Sequence, residues 1–136
     1  MTSRDFKDLM EIPWRELHCG QLAYRVLTEF FDIDVRESDL WMSSKDIGTA
    51  ELERLVDRYL QTQGHRWQLV EDAQIGDVVL SAGSQEFGRH HLSVVISTEP
   101  FAKVITTSRK AGYPFIQHLD RTPQVMGIYR FVGDQG

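Results

Sequence analysis

The feature that most constrains the fold of this chain is a change in its hydrophobic period near Arg66. Before Arg66, apolar residues recur at helical spacing, which predicts one helix from Leu17 to Phe31 and a second from about Thr49 to Gly64. After Arg66, short β-rich segments alternate with turn residues. Six strands are predicted there: Trp67 to Val70, Asp77 to Ser81, Leu92 to Ser97, Lys103 to Thr107, Phe115 to Leu119, and Val125 to Val132.

The order of these elements, helices first and strands after, predicts an α+β fold. The turns between the strands are spaced as in an antiparallel meander rather than as in strands joined by crossover helices. We therefore expect N-terminal helices packed on one face of an antiparallel sheet of five to six strands. The chain has 136 residues, no internal repeat and no linker-like segment, so residues 1–136 are expected to form a single domain.

The charge of the chain bears on its partners. It carries 20 acidic and 15 basic residues, for a formal net charge of -5, which argues against nucleic acid and against an anionic membrane as partners. No apolar run approaches the roughly 20 residues of a membrane span. The segment from Met1 to Met10 has no apolar run of the signal-peptide kind, so we expect cytoplasmic synthesis.

Cys19 is the single cysteine of the chain, which excludes an internal disulfide framework and a thiolate-rich zinc site. It lies in the first turn of the first predicted helix. The helix dipole and the N–H groups of that turn favour a thiolate, the form that attacks a carbonyl carbon. The alternative is that Cys19 is a small buried apolar residue on the apolar face of the helix.

Two adjacent histidines, His90 and His91, precede the predicted strand from Leu92 to Ser97. A nucleophilic cysteine needs a general base within hydrogen-bonding reach, and a histidine at the start of a central strand could supply it. By strand alternation, His91 shares a face with Ser93, and His90 shares the other face with Leu92. We expect His91 to face Cys19 and His90 to be turned away. The alternative is that both histidines cap the strand.

Zinc binding is a further interpretation of the histidines. Five residues are potential ligands, but no pair of them has the i, i+4 or C-x-x-C spacing of a convincing zinc site: His18, Cys19, His90, His91 and His118. We therefore expect no metal. The glycine spacings of nucleotide-binding loops do not occur either, and no cofactor is expected.

Three sequence runs, in order, resemble the NlpC-type cysteine peptidase family. They are HCGQLAYRV from His18 to Val26, IGDVVL from Ile75 to Leu80, and HLSVVI from His91 to Ile96. They correspond to the family's cysteine that opens a helix, its "pGDl" strand and its "HvGi" strand. The run from Met126 to Phe131 resembles the last strand of compact members associated with phage tails and gene-transfer particles. The resemblance extends from Trp14 to Phe131.

The resemblance implies a papain-like fold and a cofactor-independent thiol hydrolase that acts on stem peptides of bacterial peptidoglycan. Cys19 would be the nucleophile, its backbone N–H an oxyanion donor, and His91 the base. The family's third polar residue, usually a histidine on the following strand, falls at Thr106 or Thr107. Neighbouring strand residues point to opposite faces, so only one of the two can face the cysteine, and Thr106 is the first choice. His118 on the next strand is a further polar candidate, with Gln117 as a second one, and the alternative is that His118 is an exposed strand histidine.

The run HCGQ replaces the family's usual Asp-Cys-Ser-Gly, and the segment around Trp14 replaces an upstream tyrosine-glycine-glycine segment. Substrate binding is assigned to Trp14, His18, His90 and Gln117. One alternative is a catalytically weak or inactive structural or adaptor member of a phage-tail-like assembly. Another is a thiol amidase or acyltransferase with a different substrate. An enzyme of this kind would reach peptidoglycan through a carrier protein or a particle.

Overall fold

A computed structural model of the chain describes residues 6–36, 39–40, 51, 54–58, 66–81, 91–108, 110–122 and 125–133. A short helix, α1 (Lys7–Met10), comes first and was not predicted from the sequence. Helix α2 (Cys19–Arg25) follows and continues directly into a π-helical turn (Val26–Phe30). Residues 54–58 are also helical, and the two predicted ends of that helix, Thr49 and Gly64, lie outside the described residues.

Helix α2 begins two residues later than predicted because a turn occupies the preceding residues. The backbone N–H of Leu17 donates to the carbonyl oxygens of Pro13 and Trp14, both at 3.1 Å. At the start of the helix, the backbone N–H of His18 donates to Gln21 Oε1 at 2.9 Å. This reach of a side chain back to the residue before the helix is one half of a capping box, and it fixes where α2 starts.

The second part of the chain forms a six-stranded sheet in which every neighbouring pair is antiparallel. The strands are β1 (Trp67–Val70), β2 (Val78–Ser81), β3 (His91–Ser97), β4 (Lys103–Thr106), β5 (Phe115–His118) and β6 (Val125–Phe131), and a 3-10 turn (Leu119–Arg121) follows β5. The predicted α+β class, with helices first and an antiparallel sheet after, is confirmed. No helix in the described segments is long and apolar enough to span a membrane.

The strand order is β1-β6-β2-β3-β4-β5, so the predicted simple meander is wrong at one place. Strands β2 to β5 do form a meander, but β6 returns across the sheet and lies between β1 and β2. Its place there follows from long-range pairing, since Tyr129 lies opposite Leu69 on one side and Val78 on the other. Tyr129 is buried in that position.

The sheet has two faces, of which one carries the helices. On this helix face, strand residues pack in one apolar cluster with α2 and the π-helical turn: Val78, Leu80, Leu92, Val94, Ile105 and Tyr129. On the opposite face, Val79, Val95 and Val104 form a smaller cluster. Helix α2 packs against β3 and β4. The residues of β3 and β4 therefore decide which side chains can approach the start of α2.

An ion pair ties the start of β2 to β6. Arg130 donates from Nε to Asp77 Oδ1 at 2.9 Å and from Nη2 to Oδ2 at 2.8 Å, and the backbone N–H of Gln74 also donates to Asp77. The hydrogen bond to Asp77 raises the pKa of Arg130. The preceding residue, Gly76, has a φ of +93°, a conformation that favours glycine. The two residues of the Gly-Asp motif therefore have structural roles in this fold.

A second ion pair joins the helical part of the chain to β1. Arg66 donates from Nε and Nη2 to the two carboxylate oxygens of Asp39 at 2.7 and 2.8 Å, and the backbone N–H of Arg36 donates to the same carboxylate at 2.8 Å. Burial on its own raises the pKa of Asp39. The hydrogen bonds from Arg66 and Arg36, together with their charges, outweigh burial and hold this pKa below its ordinary value.

Candidate active site

Cys19 is the first residue of α2, and only 8% of its surface is exposed. It belongs to the apolar cluster of the helix face, together with Leu22 of its own helix and Leu92 of β3. The sequence prediction of a cysteine opening a helix that lies against the sheet is therefore confirmed. The same burial also fits the alternative interpretation of Cys19 as a small apolar residue.

Two residues assigned to substrate binding, Trp14 and His18, lie in the segment before α2, and His18 directly precedes Cys19 in the chain. Their rings are stacked, with centroids 4.4 Å apart and planes inclined by 24°. The backbone N–H of Trp14 donates to the carbonyl oxygen of Gly112 at 2.7 Å, which ties this segment to the turn before β5. Trp14 is half-buried and His18 is exposed. The stacked pair therefore forms a fixed wall beside the residue that begins α2.

His91 is the first residue of β3 and is half-buried. Leu92 and Val94 pack in the same cluster as Cys19, whereas Val95 packs in the cluster on the opposite face. Regular alternation counted back from Val95 would assign His91 to the face away from Cys19. His91 is the terminal residue of β3, and its orientation toward Cys19 and its catalytic role stay predictions.

Thr106 and Thr107 differ in what their hydroxyl groups do. Thr106 is the last residue of β4 and follows the alternation of Val104, on the face opposite the helices. Its hydroxyl donates to the carbonyl oxygen of Leu92 at 2.9 Å. Strand alternation and the engaged hydroxyl argue against Thr106 as the group facing Cys19, and its role stays a prediction.

Thr107 follows β4 directly, and continuing the alternation by one residue puts it on the helix face with Ile105. Its side chain is fully buried, and its hydroxyl has no hydrogen-bond partner in the part of the chain that the structure describes. A buried hydroxyl without a partner costs free energy and calls for an explanation, such as a ligand, an ordered water or a catalytic role. Of the two threonines weighed from the sequence, Thr107 is the one whose hydroxyl no described residue engages, and its role at the site stays a prediction.

The remaining polar candidates lie elsewhere. Gln117 pairs with Val104 across β4 and β5, which places it on the face opposite the helices, and its amide donates to the Thr122 hydroxyl at 3.4 Å. The structure does not bring it to Cys19. His118 lies on β5 against the ring of Phe101, with centroids 5.5 Å apart. His90 lies outside the described residues.

Among the described residues, no group of three or more His, Cys, Asp or Glu side chains could hold a metal ion. The groups that the sequence and the structure single out are a thiol at the start of α2, an imidazole stacked on an indole in the segment before it, and a buried hydroxyl after β4. These groups are suited to nucleophilic acyl transfer, in which a thiol attacks and polar groups orient its partners.

Sequence reasoning missed two features of this region. One is the tie from Trp14 to Gly112, which joins the segment before α2 to the turn before β5 and has no sequence signature. The other is the pair of Asp77 and Arg130, for which the sequence held a signal. An acidic residue at the start of one buried strand and an arginine within another are suited to a buried ion pair.

Comparisons of the chain with protein-family models, with curated proteins and with solved structures gave no match. Any function assigned to the chain therefore rests on its own residues and their arrangement.

Proposed function

We propose that this protein is a thiol hydrolase of the NlpC type that cleaves amide bonds in peptidoglycan stem peptides, with Cys19 as its nucleophile. One observation carries the proposal. A thiol at the start of α2 and an unsatisfied buried hydroxyl, that of Thr107, are assigned to the same face of the sheet. A papain-like arrangement of helix and sheet belongs to the same proposal.

The proposed reaction has two acyl-transfer steps. The Cys19 thiolate attacks the carbonyl carbon of the substrate amide, the C–N bond breaks, and the amine leaves with a proton delivered by the histidine base. Water then attacks the thioester, which releases the carboxylic acid and regenerates the thiol. The first N–H groups of a helix have no acceptor within it, so the Cys19 backbone N–H is the proposed oxyanion donor.

The base is proposed to come from the adjacent pair His90 and His91. The family resemblance names His91, and the alternation of β3 argues against it, so both histidines must be tested. Thr107 takes the place that the sequence gave to Thr106, as the hydroxyl that orients the base. A hydroxyl accepts a hydrogen bond from an imidazole N–H, but it does not neutralise an imidazolium as a carboxylate does.

The stacked pair Trp14 and His18 is the proposed substrate-binding wall, because His18 directly precedes Cys19 and the backbone N–H groups of the pair are held by Gly112 and Gln21. The proposed substrate lies in the cell envelope. Delivery by a carrier protein or a phage-tail-like particle belongs to the same proposal.

The test compares hydrolysis of synthetic stem peptides by the full chain and its variants, with the products identified by mass spectrometry. Cys19→Ala is expected to abolish hydrolysis while the circular dichroism spectrum stays native. One of His90→Ala and His91→Ala should lower the rate by about three orders of magnitude or more, since a nucleophile and its base act as a unit. His118→Ala is the matched control on β5 and should keep most of the activity.

Two results would contradict the proposal. Cys19→Ala hydrolysing the peptides as fast as the unmodified chain would exclude thiol catalysis. Full activity in both His90→Ala and His91→Ala would exclude the proposed base.

A second function is favoured by the burial of Cys19, of which 8% is exposed. According to this second proposal, the chain keeps the fold but does not catalyse hydrolysis, and it acts as a structural or adaptor component of a phage-tail-like assembly. The two functions predict different thiol chemistry. A catalytic Cys19 should react with iodoacetamide in the folded protein well below pH 8, whereas a structural cysteine should react only after unfolding.

A further inference from the structure

A single row of apolar residues crosses the whole sheet. Successive members of the row lie directly opposite one another on neighbouring strands: Leu69, Tyr129, Val78, Val94, Ile105 and Ile116. The four inner members are buried. The two outer members are exposed, Leu69 by 57% and Ile116 by 39%. The apolar row therefore continues to both edges of the described sheet, where its two outer side chains are exposed to solvent.

The two edge strands of the described sheet, β1 and β5, each pair on one side only. An edge strand offers unpaired backbone N–H and C=O groups to a further strand. Leu69 and Ile116 belong to the same cross-strand row, so they lie on the same face of the sheet. If β1 of a second copy were added beside β5, its Leu69 could pack on the exposed Ile116. If β5 of a second copy were added beside β1, its Ile116 could pack on the exposed Leu69.

Strand direction permits such an addition. All neighbouring strands are antiparallel, and their number is even, so β1 and β5 run in opposite directions. A second copy in the same orientation therefore places its β1 antiparallel to β5 of the first copy, and the sheet continues without a break in its pattern.

The charges beside the two edges are complementary. Exposed Glu71 and Asp72 follow β1, and exposed Lys110 precedes β5. In an antiparallel pair the start of one strand lies beside the end of the other. The basic end of one edge would therefore meet the acidic end of the other, which favours the correct partner and orientation.

We propose that copies of this chain associate head to tail, with the β1 edge of one copy against the β5 edge of the next. Leu69 of one copy packs beside Ile116 of its neighbour, and Lys110 lies near Glu71 and Asp72. The contact is heterologous, because it joins two different surfaces, so it produces rings or open filaments instead of closed two-fold dimers. It does not depend on the proposed thiol chemistry.

The test is a complementation experiment read by analytical ultracentrifugation of the full chain over a concentration series. The unmodified chain should form species larger than a dimer as the concentration rises. Leu69→Lys and Ile116→Lys should each weaken this association by about tenfold or more, because a charge replaces the apolar contact. Mixed together, the two variants should form a 1:1 dimer that grows no further, since each retains the edge that the other has lost.

Val125→Lys is the matched control, because Val125 is also exposed but lies on the inner strand β6. It should associate as the unmodified chain does, and circular dichroism should show the same fold in all three variants. A chain that stays monomeric up to about millimolar concentration would overturn the proposal, since affinities weaker than that correspond to less than about 4 kcal/mol of binding free energy. Failure of the mixed variants to form a 1:1 dimer, with the unmodified chain associating, would overturn it as well.

Discussion

Replacing Thr107 with valine separates a structural hydroxyl from a catalytic one. Valine has nearly the same shape as threonine, so the change removes the hydroxyl without opening a cavity. The Thr107 hydroxyl is buried and has no partner in the described segments. Leaving such a group buried costs about 1–3 kcal/mol. Thr107→Val should therefore raise the free energy of unfolding, by about 1 kcal/mol when the lower limit is taken.

The adjacent residue provides a matched control with the opposite expected sign. Thr106 donates its hydroxyl to the carbonyl oxygen of Leu92 at 2.9 Å. Thr106→Val removes this hydrogen bond and should lower the free energy of unfolding by about 0.5–1.5 kcal/mol. The two variants should thus differ by about 2 kcal/mol although the chemical change is identical. Urea unfolding followed by tryptophan fluorescence and circular dichroism measures both.

The activities of the two variants should rank in the opposite order to their stabilities. If the Thr107 hydroxyl orients the base, Thr107→Val should lower kcat about tenfold, which corresponds to about 1.4 kcal/mol, with little change in KM. Thr107→Ser keeps a hydroxyl and should restore most of the rate. Thr106→Val should stay within about twofold of the unmodified chain. A more stable and less active variant is the signature of a hydroxyl retained for function.

Two results would refute this reasoning. Loss of more than about 1 kcal/mol of stability in Thr107→Val would show that the hydroxyl is hydrogen-bonded in the folded protein. Unchanged kcat in Thr107→Val, with a loss in Thr106→Val, would place the orienting group on the other threonine.

Two further predictions concern the ion pairs. Arg130→Met leaves the Asp77 carboxylate, whose side chain is 2% exposed, without its cation. It should lower the free energy of unfolding by about 2–3 kcal/mol, which is less than for a fully buried pair because the Arg130 side chain is 30% exposed. In a double-mutant cycle with Asp77→Asn, strictly additive losses would contradict direct coupling of the two residues. The pKa of Asp39 is lower in the folded chain than in the unfolded chain. The pair of Asp39 with Arg66 therefore contributes stability that is fully present above the ordinary carboxyl pKa and is lost as the pH falls through the pKa that Asp39 has in the folded chain. Urea unfolding between about pH 6 and pH 2 should show this loss, and Asp39→Asn should reduce the slope.

Much of the fold could be predicted from the sequence because it depends on local pattern. The change from helical to strand period near Arg66 predicted the α+β class, and each predicted strand agrees with the structure to within one residue at either end. The place of β6 could not be predicted in this way. In β6, Tyr129 pairs with Leu69 on one side and with Val78 on the other. Such contacts between distant segments leave no periodic signal in either segment.

For the candidate site, the prediction from sequence is limited by the two-residue period of a strand. Alternation specifies which residues share a face, but it does not specify which face meets the helices. Both choices between adjacent residues, His90 or His91 and Thr106 or Thr107, depended on that second question. The structure answers it through Leu92 and Val94, which pack with the helix that Cys19 begins. That contact bears on both choices together, because the faces of neighbouring antiparallel strands are linked by the register of β3 and β4; the assignments themselves stay predictions that the variants test.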